Sequence, residues 1–238
     1  HYHDAIRNHL LRGEYVHKHR PILINNWEAT YFDFTGEKIF DIAKKASSLG
    51  IEMLVLDDGW FGQRDDDCGG LGDWYVNEKK LGCTLKELVD KINGLGMKFG
   101  IWFEPEMINE KSNLYQLHPD WMVRVPGRKG TKAREQYVLD YTRKDVVDGI
   151  EKMMRSIIDS ANIEYIKWDM NRSLAAVYSA QLSPEHMGEF HYRYVLGLYS
   201  LLERLTQRYP HILFEGCPRV SSYCLAALDY VNSPCLPL

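Results

Sequence analysis

The feature that most restricts what this chain can fold into is a rhythm. Short apolar runs alternate with segments of helical period, and each run turns polar at its carboxyl end. "ILINNWEATYF" (22–32) reads as a strand and is followed by "GEKIFDIAKKASSLG" (36–50), where Ile39, Ile42, Ala43, Ala46 and Leu49 fall at helical spacing and Gly50 supplies a stop. "IEMLVLDDGWFG" (51–62) opens on an unbroken apolar run, the mark of a parallel strand buried on both faces. The pattern continues with a helix over 84–96, a strand over 97–107, a strand-like stretch over 135–141 and a helix over 143–161. A strand at "EYIKWDM" (164–170), a long helix over 188–210 and a strand over 211–217 complete it. Six strands alternating with helices predict an α/β fold with a parallel sheet and right-handed crossovers. No GxGxxG follows the first strand, which argues against a dinucleotide-binding sheet.

The strand ends share a chemistry. They carry Asn25, Asn26, Trp27 and Glu28; Asp57, Asp58 and Trp60; Trp102, Glu104 and Glu106; Lys167, Trp168, Asp169 and Asn171; and Glu215 and Cys217. In a (β/α) barrel the carboxyl ends of the strands converge on one rim, and that rim holds the catalytic groups. Polar residues that merely finish strands would explain one or two such ends, but not five in succession pairing carboxylates or amides with tryptophan. Such a rim suits a sugar, whose apolar faces stack on tryptophan and whose hydroxyls bond carboxylates and amides.

Composition narrows the partners. Net charge is −4, from 29 basic and 33 acidic residues, which gives no reason to expect nucleic acid or an anionic membrane. No run approaches the ~20 apolar residues of a membrane span. The five cysteines, Cys68, Cys83, Cys217, Cys224 and Cys235, are odd in number and form no CxxC pair, so a reducing, cytoplasmic setting is expected. The first residue is His1 and not methionine, so a fragment or processed product is expected.

Glycoside cleavage needs two carboxyl groups, one serving as nucleophile or base and the other as general acid. Strand alternation puts Lys167 and Asp169 on one side of the same strand, which leaves two readings. They are an ion pair finishing the strand, or Lys167 keeps Asp169 ionised as a nucleophile. "RDDDCGG" (64–70) lacks the spacing of a cation loop and reads as a solvated turn. "GGLG" (69–72) has no following Lys-Ser/Thr and is no phosphate cradle. The nine histidines form no HExxH, and Cys217 reads as a small pocket-lining residue.

Five motifs, "NNWEATYFDF", "LDDGWFG", "GIWFEPEM", "YIKWDMNR" and "FEGC", in this order and spacing, resemble the α-galactosidases of glycoside hydrolase family 36. The resemblance runs from about residue 20 to Cys217, roughly four-fifths of the chain. It implies a retaining glycoside hydrolase on a (β/α)8 TIM barrel that cleaves terminal α-galactosyl residues from melibiose, raffinose and similar galactosides through a covalent galactosyl-aspartate. By motif matching, Asp169 is the nucleophile and Asp57 and Asp58 hold galactose hydroxyls. Trp102, Arg134, Lys167 and Asn171 line the pocket with Cys217, and Trp168 and Met170 of the same motif join them as substrate-binding residues. The resemblance calls for no cofactor and no metal. The partner is a small oligosaccharide, with no nucleic acid and no membrane, and a homo-oligomer is compatible with the full-length form.

After "FEGC" the sequence departs from that family. The family continues with a Ser/Gly-rich turn, Arg-Phe-Asp, a further strand and the acid/base aspartate; here the chain reads "PRVSSYCLAALDYVNSPCLPL". Asp229 is the only acidic residue of this stretch, and its context does not earn it the acid/base role. The stretch is expected to be a substituted ending of the kind a frameshift or premature termination leaves. The expected organisation is a lead-in over 1–19, a partial barrel over 20–217 with about six of eight βα units, and an atypical tail over 218–238. An open sheet edge then predicts poor stability or aggregation. Two alternatives follow: a catalytically impaired galactoside-binding fragment, and a transglycosylating, raffinose-synthase-like member of the same family.

Overall fold

A computed structural model describes Asp4, Asn8, His9, residues 14–218 and Ser233–Pro234, with the backbone alone at 217, 218, 233 and 234. Asp229 and nearly all of the stretch read above as an atypical tail lie outside the described residues, as does the Cys217 side chain.

The elements run β1 (Leu23–Asn25), α1 (Trp27–Thr30), α2 (Gly36–Ser48), β2 (Met53–Leu56), α3 (Glu78–Leu81), α4 (Leu85–Asn93) and β3 (Lys98–Phe103). They continue with β4 (Met107–Ile108), α5 (Asn113–Leu117), β5 (Tyr137–Val138), α6 (Lys144–Ile158) and β6 (Tyr165–Met170). A 3₁₀ turn (Pro184–Glu189), α7 (Phe190–Arg208), β7 (Leu213–Pro218) and the two-residue β8 (Ser233–Pro234) close the series. The main sheet has the order β1-β2-β3-β6-β7-β8, and every neighbouring pair is parallel. The α/β reading and the parallel sheet therefore hold.

Helix starts follow local chemistry. Thr35 accepts the Lys38 N–H at the start of α2. Thr84 and Glu87 form a reciprocal capping box on α4, with Thr84 N donating to Glu87 Oε2 at 2.8 Å. The inner faces of α2 and α4 bury Ile39, Ala43 and Ala46, and Leu85, Leu88, Val89 and Ile92. Full burial of an isoleucine or leucine contributes about 1.5–3 kcal/mol. Leu49, expected on the α2 core face, follows the last turn and is 75% exposed.

Two expected strands change. The 22–32 strand ends at Asn25, whose Oδ1 accepts the Trp27 N–H at 2.8 Å and turns the chain into α1. This local side-chain turn competes with the sheet ladder. The 135–141 stretch is not in the main sheet. Only Tyr137 and Val138 are extended, and they pair antiparallel with Ile108 and Met107 over the loop that follows β3. The parallel sheet thus draws on five of the six expected strands, with the short β8 beside β7.

Strand alternation sorts side chains between two faces. Met53, Val55, Tyr165 and Leu213 cluster with Tyr15 on one face. Leu54, Leu56, Phe99, Ile101, Ile166 and Phe214 join the helices in the larger core on the other. Gly100, opposite Tyr165 in the register, makes the first face possible, since a Cβ there would lie 2.6 Å from the Tyr165 ring. Gly197 similarly lets α7 reach the main chain before α6, where a Cβ would meet Tyr141 O at 1.8 Å.

Candidate active site at the carboxyl ends of the strands

Past the Tyr165 layer, the same face turns polar. Asn25 on β1, Asp57 after β2, Trp102 on β3, Lys167 and Asp169 on β6 and Glu215 on β7 follow the alternation of Val55, Gly100, Tyr165 and Leu213. Asp57 Oδ2 accepts both Asn25 Nδ2 at 2.5 Å and Lys167 Nζ at 2.9 Å. Its backbone N–H donates to Asn26 Oδ1 at 2.8 Å.

Asp169 is held from three directions. Trp102 Nε1 donates to Oδ2 at 3.0 Å and Asn171 Nδ2 to the same oxygen at 2.8 Å. The Met170 N–H reaches Oδ1 at 3.0 Å. The Asp169 carboxyl is 8% exposed, and this burial pushes its pKa up. The Trp102 hydrogen bond, the Lys167 charge and the Asn171 amide oppose the shift without cancelling it. The Lys167 charge thus favours ionised Asp169, as the second reading of the pair expected, but does not outweigh burial. The lysine makes its ion pair with Asp57 across the sheet, and its charge also acts on Asp169.

Asp58 has a different environment. Its carboxylate takes a forked bond from Arg64, Nε to Oδ1 at 2.9 Å and Nη2 to Oδ2 at 2.8 Å. Arg64 is 1% exposed, and its Nη1 also donates to Gly69 O at 3.0 Å. Burial raises the Asp58 pKa, against the Arg64 charge and hydrogen bonds. The acidic stretch 64–70, read as a solvated turn, therefore hides a buried anchor. Its first residue is the cation that orients the second aspartate of "LDDGW". Among the described residues no group of three or more His, Cys, Asp or Glu side chains is arranged to hold a metal ion.

Two carboxylates behind the rim were legible as strand-end acids, but the sequence assigns them no role. Glu104 is fully buried; its Oε1 accepts the Asn171 N–H at 2.6 Å and its Oε2 accepts Gln136 Nε2 at 3.1 Å. Burial, with the neighbouring Asp169 charge, pushes its pKa up to about 8. Glu106 accepts Tyr194 Oη at 2.6 Å and Trp168 Nε1 at 3.1 Å. Burial raises its pKa, with those two hydrogen bonds opposing.

The structure gathers Asp57, Trp102, Lys167, Asp169 and Asn171 at one place, with Asp58 adjoining through the chain and the Cys217 backbone opposite Asp169 in the ladder. It does not bring Trp168 and Met170 with them. Alternation turns both into the helix-facing core, where they are 6% and 2% exposed. Trp60, expected on the rim, is also core: it is fully buried between Phe61, Trp74 and Phe103 and donates from Nε1 to Trp102 O at 2.9 Å. Arg134 is exposed at a tight turn with φ of 51° and hydrogen-bonds none of Asp57, Asp58 or Asp169. No helix among the described residues is long and apolar enough to cross a membrane.

A parallel α/β sheet with carboxylates, an ion pair and a tryptophan N–H converging at its carboxyl edge is the arrangement of a site on a barrel-type α/β sheet. The chain belongs to the melibiase family, whose family model matches residues 1–229. The bifunctional α-galactosidase/sucrose kinase AgaSK of Mediterraneibacter gnavus is 56% identical over 216 residues, which are 91% of this chain and 22% of that protein. The α-galactosidase AgaA of Geobacillus stearothermophilus is 53% identical over 91% of this chain and 30% of its own length. The crystal structure of AgaA, a GH36 α-galactosidase, superposes with a TM-score of 0.95 at 50% identity, over 98% of this chain and 33% of that one. This chain therefore spans a fifth to a third of these relatives. The resemblance to family 36 drawn from the five motifs holds, and the sheet corresponds to a curled half-barrel of that catalytic domain.

Proposed function

We propose that this chain carries the nucleophile-bearing part of a retaining α-galactosidase site on a partial (β/α)8 barrel. The Asp169 carboxylate attacks the anomeric carbon of a terminal α-galactosyl unit. A carbon–oxygen bond to Asp169 forms as the glycosidic bond breaks, and the leaving oxygen takes a proton from a general acid. Water then hydrolyses the galactosyl ester and releases the sugar. Asp57, Asp58, Lys167, Trp102 and Asn171 bind and orient the galactose hydroxyls, and Arg134 and Cys217 complete the pocket. The substrate is an uncharged oligosaccharide of the melibiose or raffinose type. AgaA variants crystallised with raffinose and with stachyose support that class. A cytoplasmic setting agrees with the free thiols of Cys68 and Cys83.

The observation that carries this reading is the pair of donors on one oxygen of Asp169, from Trp102 on β3 and Asn171 after β6. They fix the carboxylate beside the Lys167–Asp57 pair, and hydrogen bonds to the charged form favour the ion that attack requires. An activated fluorinated galactosyl donor tests it. Intact-protein mass spectrometry should show one galactosyl adduct, mapped to the peptide carrying Asp169 and absent in Asp169→Ala. An adduct on another carboxylate would overturn the assignment. Galactose binding without any adduct would leave a binding role in its place.

A further inference from the structure

Between β4 and β6 the chain makes an unusual turn. Arg134 and Glu135 both sit in the left-handed region, with φ of 51° and 59°. Ala133 and Gln136 on either side exchange backbone hydrogen bonds, at 3.2 and 3.0 Å. A two-residue hairpin loop with positive φ at both centres normally takes Asn-Gly or Gly-Gly, because a Cβ is penalised there. Two long charged residues hold this conformation only where their surroundings impose it, and such strain collects at working sites.

The fastenings are specific and buried. Arg172, 5% exposed, donates from Nη1 to both Thr131 O and Gln136 O, each at 2.7 Å. Asn109 Nδ2 donates to Glu135 O at 2.6 Å. The Gln136 side chain runs to Glu104, which also accepts the Asn171 N–H, and Asn171 in turn holds Asp169. Arg172 directly follows Asn171, so the strand end that presents Asp169 and the turn that presents Arg134 are tied by neighbouring residues.

We propose that Arg172 is a positioning residue: it locks the strained Arg134–Glu135 turn against the carboxyl end of β6 and so sets galactoside affinity without touching the sugar. The inference rests on the galactoside-processing reading above for its ligand, but not for the lock itself. Both bonds to the turn come from a single nitrogen, while Nε donates to Ser173 O, so a lysine ammonium, one bond shorter in reach, would restore the turn contacts in part. A lock built on the planar fork of the guanidinium would not survive that exchange.

The test uses the full chain and p-nitrophenyl α-galactoside. Arg172→Met is expected to raise KM about tenfold, the order of effect expected when a charge-assisted hydrogen bond that preorganises a site is lost. It should change kcat by less than about threefold, because Asp169 keeps its three donors. Arg172→Lys should reverse part of the KM increase. Hydrogen exchange at the Gln136 amide, which bonds Ala133 O, should quicken in Arg172→Met and return toward normal in Arg172→Lys. An unchanged KM, or a fall in kcat alone, overturns the proposal. Unchanged exchange at Gln136 also overturns it, and does so even if the wild-type protein turns over no galactoside, an outcome that would separately defeat the functional reading.

Discussion

Lys167 Nζ lies 2.9 Å from Asp57 Oδ2, across three strands of the sheet, while Asp169 two residues along the same strand takes its hydrogen bonds from Trp102 and Asn171. The cation forms its ion pair with Asp57. Asp169 is held by neutral side-chain donors, which orient its carboxylate.

Breaking that pair has a cost that a double-mutant cycle can measure. Lys167→Met leaves the Asp57 carboxylate, 3% exposed, with Asn25 as its remaining side-chain donor. The loss in unfolding free energy should be about 1–3 kcal/mol, the range for a buried acceptor deprived of a partner. In urea unfolding of the full chain, Lys167→Met combined with Asp57→Asn should lose clearly less than the sum of the single variants. Strict additivity would mean that the contact contributes nothing.

Trp102→Phe keeps most of the ring but removes the N–H that Asp169 Oδ2 accepts. That hydrogen bond lowers the Asp169 pKa, so its loss raises it further. In the proposed reaction attack requires ionised Asp169, and the acid limb of kcat/KM reports the pKa of the free enzyme. The acid limb for p-nitrophenyl α-galactoside should therefore move to higher pH. A limb that stays in place would remove Trp102 from the control of Asp169.

Glu104 should make the fold sensitive to pH in the opposite sense to an ordinary surface carboxylate. Its folded pKa is raised from 4.5 to about 8, chiefly by burial. Below pH 4.5 both folded and unfolded states are protonated; between 4.5 and 8 the unfolded chain ionises while the native site holds its proton. The native state then binds more protons, so this contribution to stability is lost as pH rises toward 8. Glu104→Gln removes the titration. Its urea midpoints at about pH 5, 6.5 and 8 should vary less than those of the unaltered protein, and equal slopes would contradict the assignment.

Gly100→Ala tests the layer beneath the site. The added Cβ would lie 2.6 Å from the Tyr165 ring, which must shift. A destabilisation of about 1–3 kcal/mol is expected, as for other overpacked cores. Tyr165→Leu in the same chain should recover part of it. No change in the thermal midpoint of the single variant would show that the layer is looser than its geometry implies.

Periodicity and apolar runs were enough to read β2, β3, β6 and β7, because strands buried on both faces have few alternatives at the sequence level. Asn25 ended the first strand early through a bond to its own neighbour's backbone, which hydropathy does not register. Tyr137 and Val138 were misplaced because a strand's composition does not name its partner. Asp57, Trp102, Lys167, Asp169 and Asn171 could be listed together from motifs, yet their bonds could not. Lys167 and Asp57 are 110 residues apart, and nothing local couples them. Trp60, Trp168 and Met170 look like pocket residues by type, and only the face each occupies shows that they are core. Arg64 was hidden inside a charge-rich loop, where a buried anchor and a solvated turn have the same spelling.

The Lys167–Asp57 contact also sets an order of events during synthesis. At about 5–20 residues per second, the 110 residues between the two partners take roughly 5–20 s to translate. For that interval the nascent chain carries Asp57 without its lysine. The counter-ion of Asp57 is thus made only with β6, after β1, β2 and β3 and before β7.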